Sequence, residues 1–224
     1  MSLYEVEVKS LLGAKEHAEA LIARMRETDP SVSCVSENKQ LNHYFVGGDI
    51  HTLYTNTEGF FELEKKEKFK LISEKGTSTS VRTRQKDEQV LLVVKASVDE
   101  GTSANTVTRM EFEEEVGVTL AELDALLLRS GYTYQAKWSR ERQEYSYKGI
   151  NVCLDKNAGY GYLAEFEKMV EDEGALQDAR AEIDTLMAEL GVEELSQERL
   201  ARMFDFYNKN WADYYGTEKT FNIE

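Results

Sequence analysis

Close to the N-terminus, Glu5-Val6-Glu7-Val8-Lys9 alternates two carboxylates and an ammonium with small β-branched valines. A spacing of two is the repeat of a β-strand, so the three charges share one strand face. Two acids beside a base suit a divalent cation and the anionic oxygens it neutralises, which is the chemistry of metal-assisted phosphate transfer. The same alternation returns at Arg82 and Arg84, at Arg109, Glu111 and Glu113, at Arg140 and Arg142, and at Glu165 and Glu167. A single strand of this kind reads most simply as half-solvated antiparallel sheet. Five of them, with arginine favoured over lysine and acids paired at i and i+2, read as a phosphate grip, because planar guanidinium forks hold oxygens in pairs.

These residues need a sheet of many strands to position them. Period-two alternation marks strands at roughly 3–9, 36–46, 79–86, 89–96, 106–115, 134–146, 149–155 and 162–169. Val6, Val8, Val81, Met110, Phe112 and Phe166 alternate with the charges and belong beneath helices. The charged face is then left to line a cavity. The expected fold is α+β: an eight-stranded antiparallel closed β-barrel, a polar tunnel, with helices packed outside and a C-terminal helical extension. Helices are expected over 14–26, over 119–129 from the N-cap Thr119 with Glu122 three residues on, over 176–190 stopped by Gly191, and over 196–215. Residues 47–76 lack clean periodicity and read as an insert or a flap, with the run Glu64 to Lys68 as a solvated face. The domain reading is a tunnel domain over 1–170 and a helical extension over 171–224 packed on it as one structural unit.

The 224 residues are 41% hydrophobic with a single proline, the composition of an ordinary folded chain. No apolar run approaches the ~20 residues of a membrane span, and no basic-plus-apolar signal segment opens the chain, so the expectation is a soluble, cytoplasmic protein without a membrane partner. A net charge of −15 argues against a nucleic-acid partner. Much of that charge is local, since ten acids between Glu171 and Arg199 face only Arg180 and Arg199 in a helical stretch. Cys34 and Cys153 lack metal-ligand spacing and read as free thiols. His17, His43 and His51 are too scattered for a metal triad, and His43 reads as a satisfied structural histidine. Met203, Phe204, Tyr207, Trp211 and Tyr214 recur at helical spacing, as packing over the barrel, with a homodimer contact or a tunnel plug as the other roles. There is no Walker loop, no Ser/His/Asp arrangement and no HExxH.

Together these pieces resemble the CYTH superfamily, the triphosphate tunnel metalloenzymes that include class IV adenylate cyclases and thiamine triphosphatases. Residues 5–9 are similar to its ExExK signature, and Gln40 through Phe45 to its Q-x-D-x-Y-F strand. Val81-Arg82-Thr83-Arg84 is similar to its paired-arginine strand, and Lys95 to the lysine ending the next one. Arg109 to Glu113 resembles R-x-E-x-E, Arg140-x-Arg142-x-x-Tyr145 resembles K-x-R-x-x-Y, and Asp155 and Gly161-x-Leu163-x-Glu165-Phe166-Glu167 follow in order. Asn42 stands where the family often has Asp, Val93 where Thr is common, and Arg140 where Lys is usual, with Lys137 nearby.

The resemblance implies a division of labour. Glu5, Glu7, Glu111, Glu113, Asp155, Glu165 and Glu167 would hold one or two Mg²⁺ or Mn²⁺ ions. Lys9, Arg82, Arg84, Lys95, Arg109, Arg140 and Arg142 would bind a triphosphate-bearing small molecule, and Glu5, Glu7 and Lys9 would be catalytic. Attack by water gives a triphosphatase for inorganic or nucleoside triphosphate. Attack by the ribose 3′-hydroxyl of ATP gives cyclic AMP and pyrophosphate, and a polyphosphate-binding module without turnover is the third reading.

Overall fold

The structure is a computed structural model that describes residues 4–97 and 109–224. Eight strands form one antiparallel sheet: β1 (Tyr4–Gly13), β2 (Cys34–Gly47), β3 (Thr77–Lys86), β4 (Gln89–Ser97), β5 (Arg109–Glu115), β6 (Tyr132–Tyr147), β7 (Ile150–Asn157) and β8 (Gly161–Val170). Six α-helices accompany them: α1 (Lys15–Thr28), α2 (Ile50–Thr57), α3 (Leu63–Lys75), α4 (Leu120–Arg129), α5 (Leu176–Leu190) and α6 (Gln197–Asn210). The fold is therefore α+β with the eight strands that the alternation predicts. Positions 3 and 106–108 of the expected strands lie outside the described residues. The strand order β1-β8-β7-β6-β2-β3-β4-β5 has two end strands. The expected barrel is thus met in strand number and direction, while among the described residues the strand order is that of an open sheet.

The described residues divide into two compact units, residues up to Lys39 with those from Ser139 onward, and Gln40–Trp138. In the first unit β1, β8, β7 and β6 are antiparallel neighbours. Their uncharged face buries Val8, Val152, Leu154 and Phe166 in one core with Leu21 and Met25 of α1 and Ile183, Leu186 and Leu190 of α5. The i, i+3, i+4 spacing of these residues is what an amphipathic helix offers a sheet. α5 ends where Gly191 takes the left-handed conformation at φ 62° and its N–H caps the Met187 and Ala188 carbonyls. α6 starts at Ser196, whose hydroxyl accepts the Arg199 N–H. The α-helix ends at Asn210 rather than continuing to 215, and a 3₁₀ turn, Trp211–Asp213, follows. The chain then runs back as an extended tail, and Tyr214 packs on Phe221 with ring centres 5.3 Å apart. A straight continuation of the helix would have no tail to meet.

In the second unit β2, β3, β4 and β5 pair in that order. Residues 47–76, expected as an insert or flap, are instead part of its core. α2 starts at Asp49, which accepts the Thr52 N–H, and α2 and α3 bury Leu53, Phe69 and Ile72 completely. Phe69 stacks on Phe112 of β5 at 4.7 Å, and Phe61 meets the same ring edge-on at 5.0 Å. Each fully buried aromatic adds about 1.5–3 kcal/mol by transfer from water. The sequence hides α3 because only Phe69, Ile72 and Ser73 of its thirteen residues are buried. The charged run Glu64 to Lys68 lies on its outer side as expected, with Lys65 reaching Glu114 at 2.6 Å. α4 opens with the full capping box of Thr119 and Glu122. Among the described residues no helix is long and apolar enough to cross a membrane.

Candidate active site

In the first unit, strand register assembles the charges. Glu7 of β1 lies opposite Glu167 of β8, and Lys9 opposite Glu165. On the other edge of β8, Glu165 pairs with Cys153 and Glu167 with Asn151 of β7. Arg142 of β6 faces Asp155 of β7, and Arg140 faces Asn157. Because alternate residues share a face, Glu7, Lys9, Arg142, Asp155, Glu165 and Glu167 stand together, opposite the apolar face covered by α1 and α5.

Burial forces these charges to pair. Asp155 is fully buried. It accepts a two-pronged bond from Arg142, Nε to Oδ1 at 2.7 Å and Nη2 to Oδ2 at 2.6 Å, and a third from Arg140 at 2.9 Å. Glu165 sits between Lys9 at 3.0 Å and Arg142, which also reaches it. Burial pushes the Glu165 carboxyl up, but the charges of Lys9, Arg142 and Arg140 outweigh burial and hold its pKa down at about 2. Burial likewise disfavours the Arg142 cation, and the bonds and charges of Asp155 and Glu165 more than reverse that. Lys9 also pairs with Glu7, and Glu167 accepts from the neutral amide of Asn151 at 2.9 Å. Glu165, Glu167 and Cys153 each bring a ligand atom to within 4.8 Å of the other two, the one metal-ligating group of this kind among the described residues.

The second unit carries a cationic set. β2–β3 pairing sets Asn42 opposite Arg84 and Tyr44 opposite Arg82. Arg84, nearly buried, donates Nε to Asn42 Oδ1 at 2.7 Å and Nη1 to Glu113 at 2.6 Å. Arg82 donates to the Tyr44 hydroxyl at 2.7 Å and lies 5.3 Å from its ring centre. Lys95 faces Glu111 across β4–β5 and pairs with it at 2.5 Å. Asn42, where an aspartate is common in the family it resembles, thus serves as a neutral acceptor that aims Arg84.

The structure brings Glu7, Lys9, Arg140, Arg142, Asp155, Glu165 and Glu167 together in one unit, and Arg82, Arg84, Lys95, Glu111 and Glu113 in the other. Glu5 and Arg109 lie on β1 and β5, but their side chains are outside the described residues. Arg140 takes the Asp155 carboxylate, whereas the Lys137 ammonium lies 4.2 Å from the Tyr134 ring centre. His43 is a satisfied structural histidine: its Nδ1–H donates to Asp124 at 2.7 Å, and the Thr83 and Tyr134 hydroxyls donate to the same carboxylate at 2.6 and 2.7 Å. Both cysteines are free thiols. Sequence reasoning passed over Cys153 and Asn151 because neither has ligand spacing along the chain. The signal present was parity, since 151, 153 and 155 alternate on one strand face.

Residues 62–201 match the family model described as CYTH domain. No curated protein matches the chain. Among solved structures, a conserved hypothetical protein from Pyrococcus furiosus is similar with a TM-score of 0.58 at 19% identity, covering 87% of this chain and 93% of its own. A Pyrococcus horikoshii protein gives 0.56 at 22% identity, with 87% and 94% covered. A Vibrio parahaemolyticus protein named a "putative adenylate cyclase" gives 0.57 at 17% identity, with 90% and 99% covered. At these identities the likeness is one of fold.

Proposed function

We propose, from the premise that this chain belongs to the CYTH domain family, that it is a divalent-metal-dependent enzyme acting on a triphosphate, and that its reaction is hydrolysis. The observation that carries this reading is Glu165: a nearly buried carboxylate kept ionised by Lys9 and Arg142, on the same face as Glu7 and Glu167. A pure anion binder gains nothing from acids set among its cations, whereas a site for a metal and a polyphosphate needs both signs of charge.

Two of the three donors that converge there are the carboxylates of Glu165 and Glu167, the oxygen ligands a hard cation takes. Glu7, Glu165 and Glu167 would hold Mg²⁺ or Mn²⁺, with Glu5, two residues before Glu7 on β1, as a further candidate ligand. Bound there, the cation supplies Lewis acidity toward phosphoryl oxygen. The remaining chemistry belongs to this chain's own cations. In the first unit Lys9, Arg140 and Arg142, and separately in the second Arg82, Arg84 and Lys95, already rest on carboxylates, amide or phenol oxygens. A phosphate therefore replaces one oxygen partner with another and meets donors that are already aimed, which is the preorganisation that stabilises charge building on a leaving pyrophosphate or phosphate. Asp155, gripped by two arginines, serves in this reading to orient them rather than to ligate a metal. Hydrolysis ranks ahead of cyclisation because the groups gathered on these faces address phosphate and metal, with Tyr44 engaged by Arg82.

The test is incubation with inorganic triphosphate, ATP and thiamine triphosphate, each with Mg²⁺ or Mn²⁺, scoring orthophosphate, pyrophosphate and cyclic AMP separately. Metal-dependent orthophosphate release is expected. Cyclic AMP with pyrophosphate from ATP would replace hydrolysis with cyclisation, and no product from any substrate would leave only a binding module.

A further inference from the structure

Cys153 shares a face of β7 with Asn151 and Asp155, pairs across the ladder with Glu165, and is completely buried. Its Sγ lies 3.9 Å from a Glu167 oxygen and 3.4 Å from the Asn151 amide, and that amide holds Glu167 at 2.9 Å. The amide thus fixes the Glu167 carboxylate beside the thiol. Ligand atoms around one tetrahedral ion at about 2.0–2.3 Å stand roughly 3.3–3.8 Å apart. Sγ and the two carboxylates lie within 4.8 Å of one another, so side-chain rotations of about 1 Å bring them to that spacing.

We infer that Cys153, Glu165 and Glu167 form a mixed sulfur–oxygen metal site that selects borderline-soft divalent cations, Zn²⁺ and Co²⁺, over Mg²⁺. The inference rests on the metal role proposed above for the two glutamates and adds to it a donor of a different chemical class. An all-oxygen site suits Mg²⁺, Ca²⁺ or Mn²⁺ and adds nothing to a cation's affinity for thiophilicity. A sulfur donor changes the ranking. On binding, the thiol proton passes to solvent and the thiolate joins the two carboxylates around the cation. The consequence for the chain is a competition in which Zn²⁺ displaces Mg²⁺ from these glutamates at low concentration.

The experiment measures binding without substrate, so it stands whether or not the chain turns over a triphosphate. Cys34, the exposed second thiol, is first replaced as Cys34→Ser to leave one sulfur. The full chain is then titrated with Co²⁺, Zn²⁺ and Mg²⁺, reading thiolate-to-cobalt charge transfer by absorption and affinities by calorimetry. A charge-transfer band is expected, which Cys153→Ser abolishes while weakening Zn²⁺ binding by about tenfold or more and leaving Mg²⁺ binding within about twofold. Glu167→Gln, which keeps the thiol and the side-chain volume, should weaken both cations. Zn²⁺ affinity unchanged by Cys153→Ser, or cobalt binding without the band, overturns the inference. Loss of Mg²⁺ binding in Glu167→Gln with no triphosphatase activity in any form would instead count against the enzymatic reading alone.

Discussion

Asp155 and Glu165 are both carboxylates on one sheet face, yet their surroundings give them different work. Asp155 has both oxygens occupied by guanidinium groups, whereas Glu165 shares its charge between an ammonium and one arm of Arg142. Glu7, paired with Lys9 at the more open end, keeps a side chain one-third exposed and accessible to a cation. Glu7→Gln should therefore cut metal-dependent turnover by about 10²-fold or more while the melting temperature holds. Full turnover in that variant would remove Glu7 from the metal site. Arg84→Ala should weaken triphosphate binding much more than monophosphate binding, since Asn42 and Glu113 aim that guanidinium at one point of an extended anion. Equal losses in calorimetry would contradict an ordered grip. Asp124 belongs to stability instead. Burial raises its pKa, but the bonds from His43, Thr83 and Tyr134 outweigh that and leave the carboxyl below the usual range. A depressed carboxylate contributes stability above its unfolded pKa and loses it as pH falls through the folded one. Asp124→Asn should accordingly flatten the decline of the urea midpoint below about pH 4. A decline as steep as the parent's would mean that the network is not ionic.

At the scale of elements, the strands were legible because a half-buried strand writes its two environments at alternate positions. β3, expected at 79–86 and found at Thr77–Lys86, shows how closely that pattern tracks the ladder. α4 was legible for a different reason, its N-terminal hydrogen bonds being local in sequence. α2 and α3 were not. α2 has eight residues and α3 presents a long solvated run, so neither repeats its apolar face often enough to show a period. What makes them helices is the sheet beneath, where Phe69 and Phe61 close on Phe112. Phe69→Ala should cost about 3–5 kcal/mol through the cavity it leaves. A loss below ~1 kcal/mol, read from chemical denaturation, would restore the view of 47–76 as a peripheral insert.

At the scale of the whole molecule, the C-terminal tail binds the first unit to itself. Gly159 exchanges backbone hydrogen bonds with Lys219 and Phe221, Lys156 pairs with Glu218 at 2.5 Å, and the Gly216 N–H reaches the Ser139 hydroxyl at 2.9 Å. Phe221 completes an aromatic cluster with Tyr160 and Phe206, its ring centre 5.3 and 4.7 Å from theirs. Gly159, at φ 81°, has no room for a side chain, since an added Cβ would lie 2.8 Å from both Phe221 and Tyr207. Removing residues 217–224 should lower stability by about 3 kcal/mol through exposure of that cluster. An unchanged melting temperature would mean that the tail merely rests on the surface.

The sequence by itself determined which residues carry charge, that they alternate at a strand's period, and the family to which that order belongs. Each of these is a property of spacing along the chain. Only the tertiary structure decided which charge meets which: that Arg142 forks onto Asp155, that Arg84 is aimed by Asn42 and Glu113, and that Cys153 lies among the glutamates. Those pairings join residues brought together by ladder register, and register is fixed by burying one face of every strand under helices, an outcome that no local window of sequence contains.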